Sequence, residues 1–157
     1  MVTYGGGKEM IKSTDKISNI LPLLIDEVNA VVLDMGSTST RVGFAGEEVP
    51  KTIIPTCYGV DQNNNYYVGD AQLNTWRPNV EIKNPMEDGM IRDWDAVEQI
   101  WKTAFQDYLH INPSEHPFLC TEPAWNTTEN REKLMELAFE KFDMPAFYVA
   151  KSPVMTA

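Results

Sequence analysis

Cysteine is scarce in this chain: Cys57 and Cys120 are the two among 157 residues, and neither belongs to a CxxC or Cys/His cluster. That excludes the usual thiolate zinc frameworks and leaves two reduced, partly buried thiols as the expectation. Histidine is equally sparse. His110 and His116 have no companions for catalysis or metal binding. Cations are few, with 13 Lys and Arg against 23 Asp and Glu and a formal net charge of −10. So small and scattered a set cannot neutralise a row of phosphates, which argues against direct binding to nucleic acid or to an anionic membrane. No apolar run is long enough to span a bilayer. The start of the chain lacks a charged stretch leading directly into an apolar one, so no secretory signal is expected. Without one, Asn126-Thr127-Thr128 reads as a helix start rather than a glycosylation site.

What is present suffices for one modest core: 43% of the residues are hydrophobic and 23% charged. Residues 1–28 stand apart. They open on Tyr4-Gly5-Gly6-Gly7 and end near Ile20-Leu21-Pro22-Leu23-Leu24-Ile25. The proline disfavours a helix interior and a central strand, so the segment reads as a poorly ordered extension. Regular structure is expected from Ala30-Val31-Val32-Leu33, a short β-branched run typical of a buried strand. Asp34-Met35-Gly36-Ser37 then predicts a tight turn, Arg41 to Ala45 a returning strand, and Lys51 to Pro55 a third. Asp61 to Asn65 is a polar loop and Tyr66 to Gly69 a brief extended piece. From Asp70 to Arg92, with Pro78 and Pro85, the pattern predicts a short helix and loops.

The C-terminal half is clearer. Trp94, Val97, Trp101, Phe105 and Tyr108 recur at helical spacing behind the N-cap candidate Asp93. Pro117 to Thr121 reads as a strand. A second helix starts near Asn126 to Thr128, carries Leu134, Leu137, Ala138 and Phe142 inward, and stops at Asp143-Met144-Pro145. Ala146 to Ala150 is a last strand. Strand, helix, strand at these lengths predicts a parallel pair, so the fold class is α/β.

One local motif suggests chemistry: Leu33-Asp34-Met35-Gly36-Ser37-Thr38-Ser39-Thr40-Arg41. An aspartate ending a buried strand can hold a hydrated divalent cation, and magnesium usually keeps its waters. Gly36 permits a sharp turn, so that the N–H groups of Ser37, Thr38 and Ser39 can converge on an anion. Asp-x-Gly-Ser between two strands is also an ordinary hairpin turn, and the motif alone leaves both readings open.

The wider pattern adds to it. Val32-Leu33-Asp34-Met35-Gly36-Ser37 leads to Gly43-Phe44-Ala45-Gly46-Glu47-Glu48-Val49-Pro50, and then to Tyr67-Val68-Gly69-Asp70-Ala71. Pro85-x-x-x-Gly89-x-Ile91-x-x-Trp94-Asp95 follows, then Glu115-His116-Pro117-x-Leu119-x-Thr121-Glu122-Pro123. Asn126-x-x-x-Asn130-Arg131-Glu132-Lys133 and Pro145-Ala146-x-Tyr148-Val149-Ala150 complete the series. In order and spacing these blocks resemble the actin superfamily, over nearly everything from Asn29 to Ala157. The resemblance implies the ribonuclease-H-like ATPase fold shared by actin, Hsp70 and sugar kinases. Residues 29–157 would form an incomplete first lobe (subdomains 1 and 2), and a complete ATP cleft would need sequence beyond Ala157. It also implies ATP and magnesium as cofactors of the full-length form. The candidate residues are Asp34, Gly36, Ser37, Thr38, Ser39 and Arg41, with Asp34 reaching the metal through water.

Three departures separate the chain from conventional actin. The loop between Tyr58-Gly59 and Tyr66-Tyr67 is short where filament-forming actins carry a longer one that grips the next subunit. Ser152 stands where actins carry the glutamine that positions the attacking water, and Asp88 replaces a histidine associated with phosphate release. Thr121-Glu122-Pro123-Ala124-Trp125-Asn126-Thr127 and Ala150-Lys151-Ser152-Pro153-Val154-Met155-Thr156 look like the nuclear class of actin-related proteins. That class typically opens on Tyr-Gly-Gly-Asp-Glu-Val. Here Tyr4-Gly5-Gly6 and Asp26-Glu27-Val28 are separated, so residues 7–25 read as an insertion. The resemblance implies an architectural and regulatory subunit of nuclear chromatin-remodelling or histone acetyltransferase complexes, binding ATP in the full-length form with little or no hydrolysis. Its implied partners are an actin monomer and a helix of a scaffold or ATPase subunit. A filament-forming ATPase and a sugar kinase are the alternatives from other function classes.

Overall fold

The computed structural model describes residues 29–152. The expected extension and insertion within residues 1–28, and the stretch 153–157, lie outside the described residues.

The principal sheet has five strands. Strand β1 (Val31–Met35) sits at its centre and alternates in burial, with Val31, Leu33 and Met35 inward. Asp34 therefore faces away from the core through the period-two geometry of a strand. On one side β1 pairs antiparallel with β2 (Ser39–Phe44), which pairs antiparallel with β3 (Thr52–Pro55). On the other side it runs parallel to β9 (Phe118–Glu122), and β9 runs parallel to β10 (Phe147–Lys151). The expected strand, helix, strand unit with a parallel pair is present. The first turn is displaced from its expected position: β1 continues through Asp34 and Met35, and the chain reverses over residues 36–38. Pairing extends that far because Met35 fills a core position, which favours two more ladder residues over an early turn.

Two helices cover the sheet. Helix α2 (Trp94–Thr103) is capped by Asp93, whose carboxylate accepts from the Ala96 N–H. Helix α3 (Thr128–Glu136) is capped by Thr127, whose hydroxyl accepts from the Asn130 N–H. Both caps satisfy an otherwise orphaned donor of the first turn. Neither helix keeps α geometry to its end, which departs from the single helical stripe predicted for Trp94 to Tyr108. Each passes into a π-helical turn, Ala104–Tyr108 and Leu137–Lys141. The bonds there reach five residues back, Leu109 N–H to Ala104 and Phe142 N–H to Leu137. Each then stops at a left-handed non-glycine residue, His110 with φ 54° and Asp143 with φ 49°. The widened turns let Phe105 meet Trp101 and Phe118, and Phe142 meet Trp101 and Phe105, with ring centroids 5.4–6.3 Å apart. Trp101 and Phe105 are fully enclosed there, and each such burial contributes about 1.5–3 kcal/mol.

Residues 58–91 form two small sheets. The brief extended piece expected at Tyr66 to Gly69 is one of their strands, whereas Asp70 to Arg92, expected as a short helix and loops, contributes three more strands beside the helix. Strands β4 (Tyr58–Val60), β5 (Tyr66–Val68) and β6 (Glu81–Lys83) make a three-stranded antiparallel sheet in the order β5-β4-β6. The expected short helix is α1 (Asp70–Leu73). Strands β7 (Met86–Glu87) and β8 (Met90–Ile91) form a hairpin closed by Asp88 and Gly89, at φ 52° and 74°. A two-residue turn with positive φ at both positions matches the twist of the strands it joins. These strands have two or three residues each, too few for alternation to register.

Candidate functional site

The reversal between β1 and β2 is held from behind. The carbonyls of residues 36–39 each have a donor: Gly36 O accepts from Thr56 Oγ1 at 2.7 Å, and Ser37 O from Asn84 Nδ2 at 2.7 Å. Thr38 O accepts from the Thr56 N–H at 3.1 Å, and Ser39 O from the Gly36 N–H at 3.0 Å. On the other side Ser37 and Thr38 are exposed, and their N–H groups have no acceptor among the described residues. The turn thus leaves two backbone donors without a partner among the described residues while its acceptors are engaged, a backbone arrangement suited to an anion.

Asp34 stands beside the turn. One carboxylate oxygen accepts from Thr121 Oγ1 at 2.6 Å, tying β1 to β9. The other faces Arg41 Nη1 at 3.4 Å, because Asp34 and Arg41 are partners in the antiparallel register. This exposed pair contributes about 0–1 kcal/mol. Asp34, Gly36 and Ser37 line an open pocket of about 470 Å³. Thr38 and Ser39 lie on the turn outside that lining, and Arg41 reaches the site by way of Asp34.

The opposite wall comes from the end of β9 and the start of α3. Glu122 is the buried acid here, 3% exposed. Arg131 engages it with both Nε and Nη2, and Asn126 Nδ2 adds a bond at 2.9 Å. Sequence reasoning quoted Glu122 and Arg131 as matches and gave them no role. Their nine-residue separation across a strand end and a helix contains no periodic signal. Burial, then the Asp34 and Glu122 carboxylates, push the Cys120 thiol well above its ordinary range, so it remains protonated. Ser152 donates its hydroxyl to the Glu122 carbonyl at 3.1 Å. Trp125, part of the block that resembles the nuclear class, also lines the pocket. It is 63% exposed and hydrogen-bonds through Nε1 to Asp88 O at 3.1 Å, lying over Gly89 across the pocket mouth.

This geometry can be set against known proteins. The family model described as Actin matches residues 25–157. The chain belongs to the actin family. Among its relatives, "Actin-related protein 4" of Arabidopsis thaliana is 38% identical over 162 residues, covering 84% of this chain and 37% of that protein. "SWI/SNF and RSC complexes subunit arp42" of Schizosaccharomyces pombe is 39% identical over 137 residues, covering 85% of this chain and 32% of its own length. "Actin-related protein 4" of Yarrowia lipolytica is 40% identical over 148 residues, with 84% and 34% covered. The chain therefore spans about a third of the length of these relatives. The resemblance stated on the sequence blocks, and the α/β class read from the strand, helix, strand pattern, both stand.

The residues of this actin-family chain fit the family's nucleotide in one respect: an exposed donor turn beside a carboxylate is the chemistry that a magnesium-bound polyphosphate requires. Among the described residues no group of three or more His, Cys, Asp or Glu could hold a metal by itself.

Proposed function

We propose that this chain belongs to an actin-related subunit of a nuclear chromatin-remodelling or histone acetyltransferase complex, architectural and regulatory in role. The observation that carries the reading is its likeness to the S. pombe protein named for the SWI/SNF and RSC complexes, together with the proteins named Actin-related protein 4. Residues 29–157 would supply part of the first lobe. In the full-length protein Ser37, Thr38 and Ser39 would face the ATP phosphates, and Asp34 would hold a magnesium-bound water. The metal would neutralise phosphate charge. Arg41 would set the orientation of Asp34.

Two local features support weak hydrolysis and poor polymerisation. Ser152 is short, and its hydroxyl already donates to Glu122 O, which disfavours the activation of a water. The β4–β5 connection is tied down by Asp61, whose carboxylate accepts from the backbone of Asn63 and Asn65 and from the Asn65 side chain at 2.8–2.9 Å. So short a turn offers little to a neighbouring subunit. The partners proposed are an actin monomer and a helix of a scaffold or ATPase subunit.

The test is affinity capture of the tagged natural protein from nuclear extract, with mass spectrometry of what is retained. Actin recovered together with remodeller or acetyltransferase subunits is expected. Recovery of cytoplasmic filament proteins alone would overturn the reading in favour of a polymerising relative.

A further inference from the structure

We propose that Thr56 and Asn84 are positioning residues for phosphate binding: they clamp the carbonyls of the β1–β2 turn from behind, so that its donors are set forward before any ligand arrives. The inference rests on the anion-binding reading of that turn and assigns its preorganisation to two residues far away in sequence.

Thr56 lies 20 residues after Gly36, and Asn84 lies 47 after Ser37. They come from different elements, Thr56 from the end of β3 and Asn84 from the link between β6 and β7. Thr56 acts twice, giving its hydroxyl proton to Gly36 O and its N–H to Thr38 O. A hydroxyl has one proton. In the 3.0 Å contact between Thr40 Oγ1 and Thr56 Oγ1, Thr40 is therefore the donor. Both threonines are fully buried, so the hydroxyl link between them is shielded from competing water. Asn84 likewise acts twice. Its amide donates to Ser37 O, and its carbonyl accepts from the Met86 N–H at 2.9 Å, which fixes the side chain's orientation.

The consequence is electrostatic. A peptide rotated the other way would turn a carbonyl oxygen toward the phosphate and withdraw an N–H, exchanging attraction for repulsion. With the carbonyls of residues 36–39 each occupied, that rotation costs a hydrogen bond. The donors then need no reorganisation when an anion binds.

The test compares dissociation constants for Mg·ATP and for adenosine in the natural full-length protein and its variants, by calorimetry. Thr56→Val keeps the shape and removes the hydroxyl. It is expected to weaken Mg·ATP on the order of tenfold while leaving adenosine within about twofold. Thr56→Ser is expected to restore most of the loss. Asn84→Ala, on the exposed side where folding is least at risk, should weaken Mg·ATP in the same selective way. Variants that bind Mg·ATP like the wild type, while Gly36→Val abolishes its binding, would refute the clamp and leave the anion turn standing. A wild type that binds Mg·ATP no more tightly than adenosine would remove the anion turn, and the clamp with it. Equal losses for both ligands would reduce Thr56 and Asn84 to general structural supports.

Discussion

The ion pair at the end of β9 makes an asymmetric prediction. The Glu122 side chain is 2% exposed, and that of Arg131 is 43% exposed. Removing one member of a pair costs what the abandoned partner's surroundings dictate. Arg131→Ala abandons a buried carboxylate. Breaking a fully buried pair this way costs about 3–5 kcal/mol. Here Asn126 Nδ2 remains as a donor, and water enters where the half-exposed guanidinium stood. The expected cost is therefore about 2–3 kcal/mol. Glu122→Gln abandons a guanidinium that water already reaches, and the new amide oxygen still accepts from Asn126, so about 1 kcal/mol is expected. Urea unfolding of the chain, followed by circular dichroism, separates the two. A difference of about 1–2 kcal/mol moves the midpoints about 0.5–1 M apart at the usual slopes. The gap should survive at high salt, because buried charge is poorly screened. Equal costs, or a larger cost for Glu122→Gln, would show that the carboxylate is not the desolvated partner.

Three further outcomes are expected. Hydrogen bonds from Asn65, then Asn63, hold the Asp61 carboxyl below its usual range; the contribution of the β4–β5 turn is thus present above the ordinary carboxylate pKa and lost as pH falls through the lowered one. The protection factors of the Asn63 and Asn65 amides, taken against intrinsic exchange at each pH, should fall in acid, and protection unchanged down to the acid limit would contradict this. Burial, then the hydrogen bond to Asp93, push the Tyr58 phenol upward, so its contribution is complete below the unfolded tyrosine pKa and lost as pH rises beyond it; in an ultraviolet titration Tyr58→Phe should remove a late-ionising tyrosine and cost about 1 kcal/mol. Gly69 has φ 83°, and a Cβ there would meet Tyr108 Oη at 2.6 Å; Gly69→Ala should therefore destabilise by more than about 1 kcal/mol in thermal melts, and a neutral result would mean that Tyr108 moves aside freely.

Much of the framework is legible in the sequence. Asp93 and Thr127 declare helix starts through side chains that hydrogen-bond locally, and such signals survive in one dimension. The apolar runs at Val31 to Leu33 and Phe118 to Cys120 identify central strands because both are enclosed. The hairpin at Asp88-Gly89 departs from the loops expected there: the dipeptide favours positive φ, but flanking strands of two residues each carry no alternation. The π-helical endings carried no signal. They arise from the packing of Phe105 and Phe142 around Trp101, which is decided between helices.

By itself the sequence determined the family, the strand and helix order of the C-terminal half, and the turn at Gly36 with its neighbouring Asp34, since each rests on residues adjacent in the chain. Tertiary structure alone decided which way that turn faces, what occupies its carbonyls, and where Glu122 finds its charge partner. The physical reason is distance along the chain: Thr56, Asn84 and Arg131 reach their partners only after sheets and helices have formed, and local propensity does not encode contacts between separate elements.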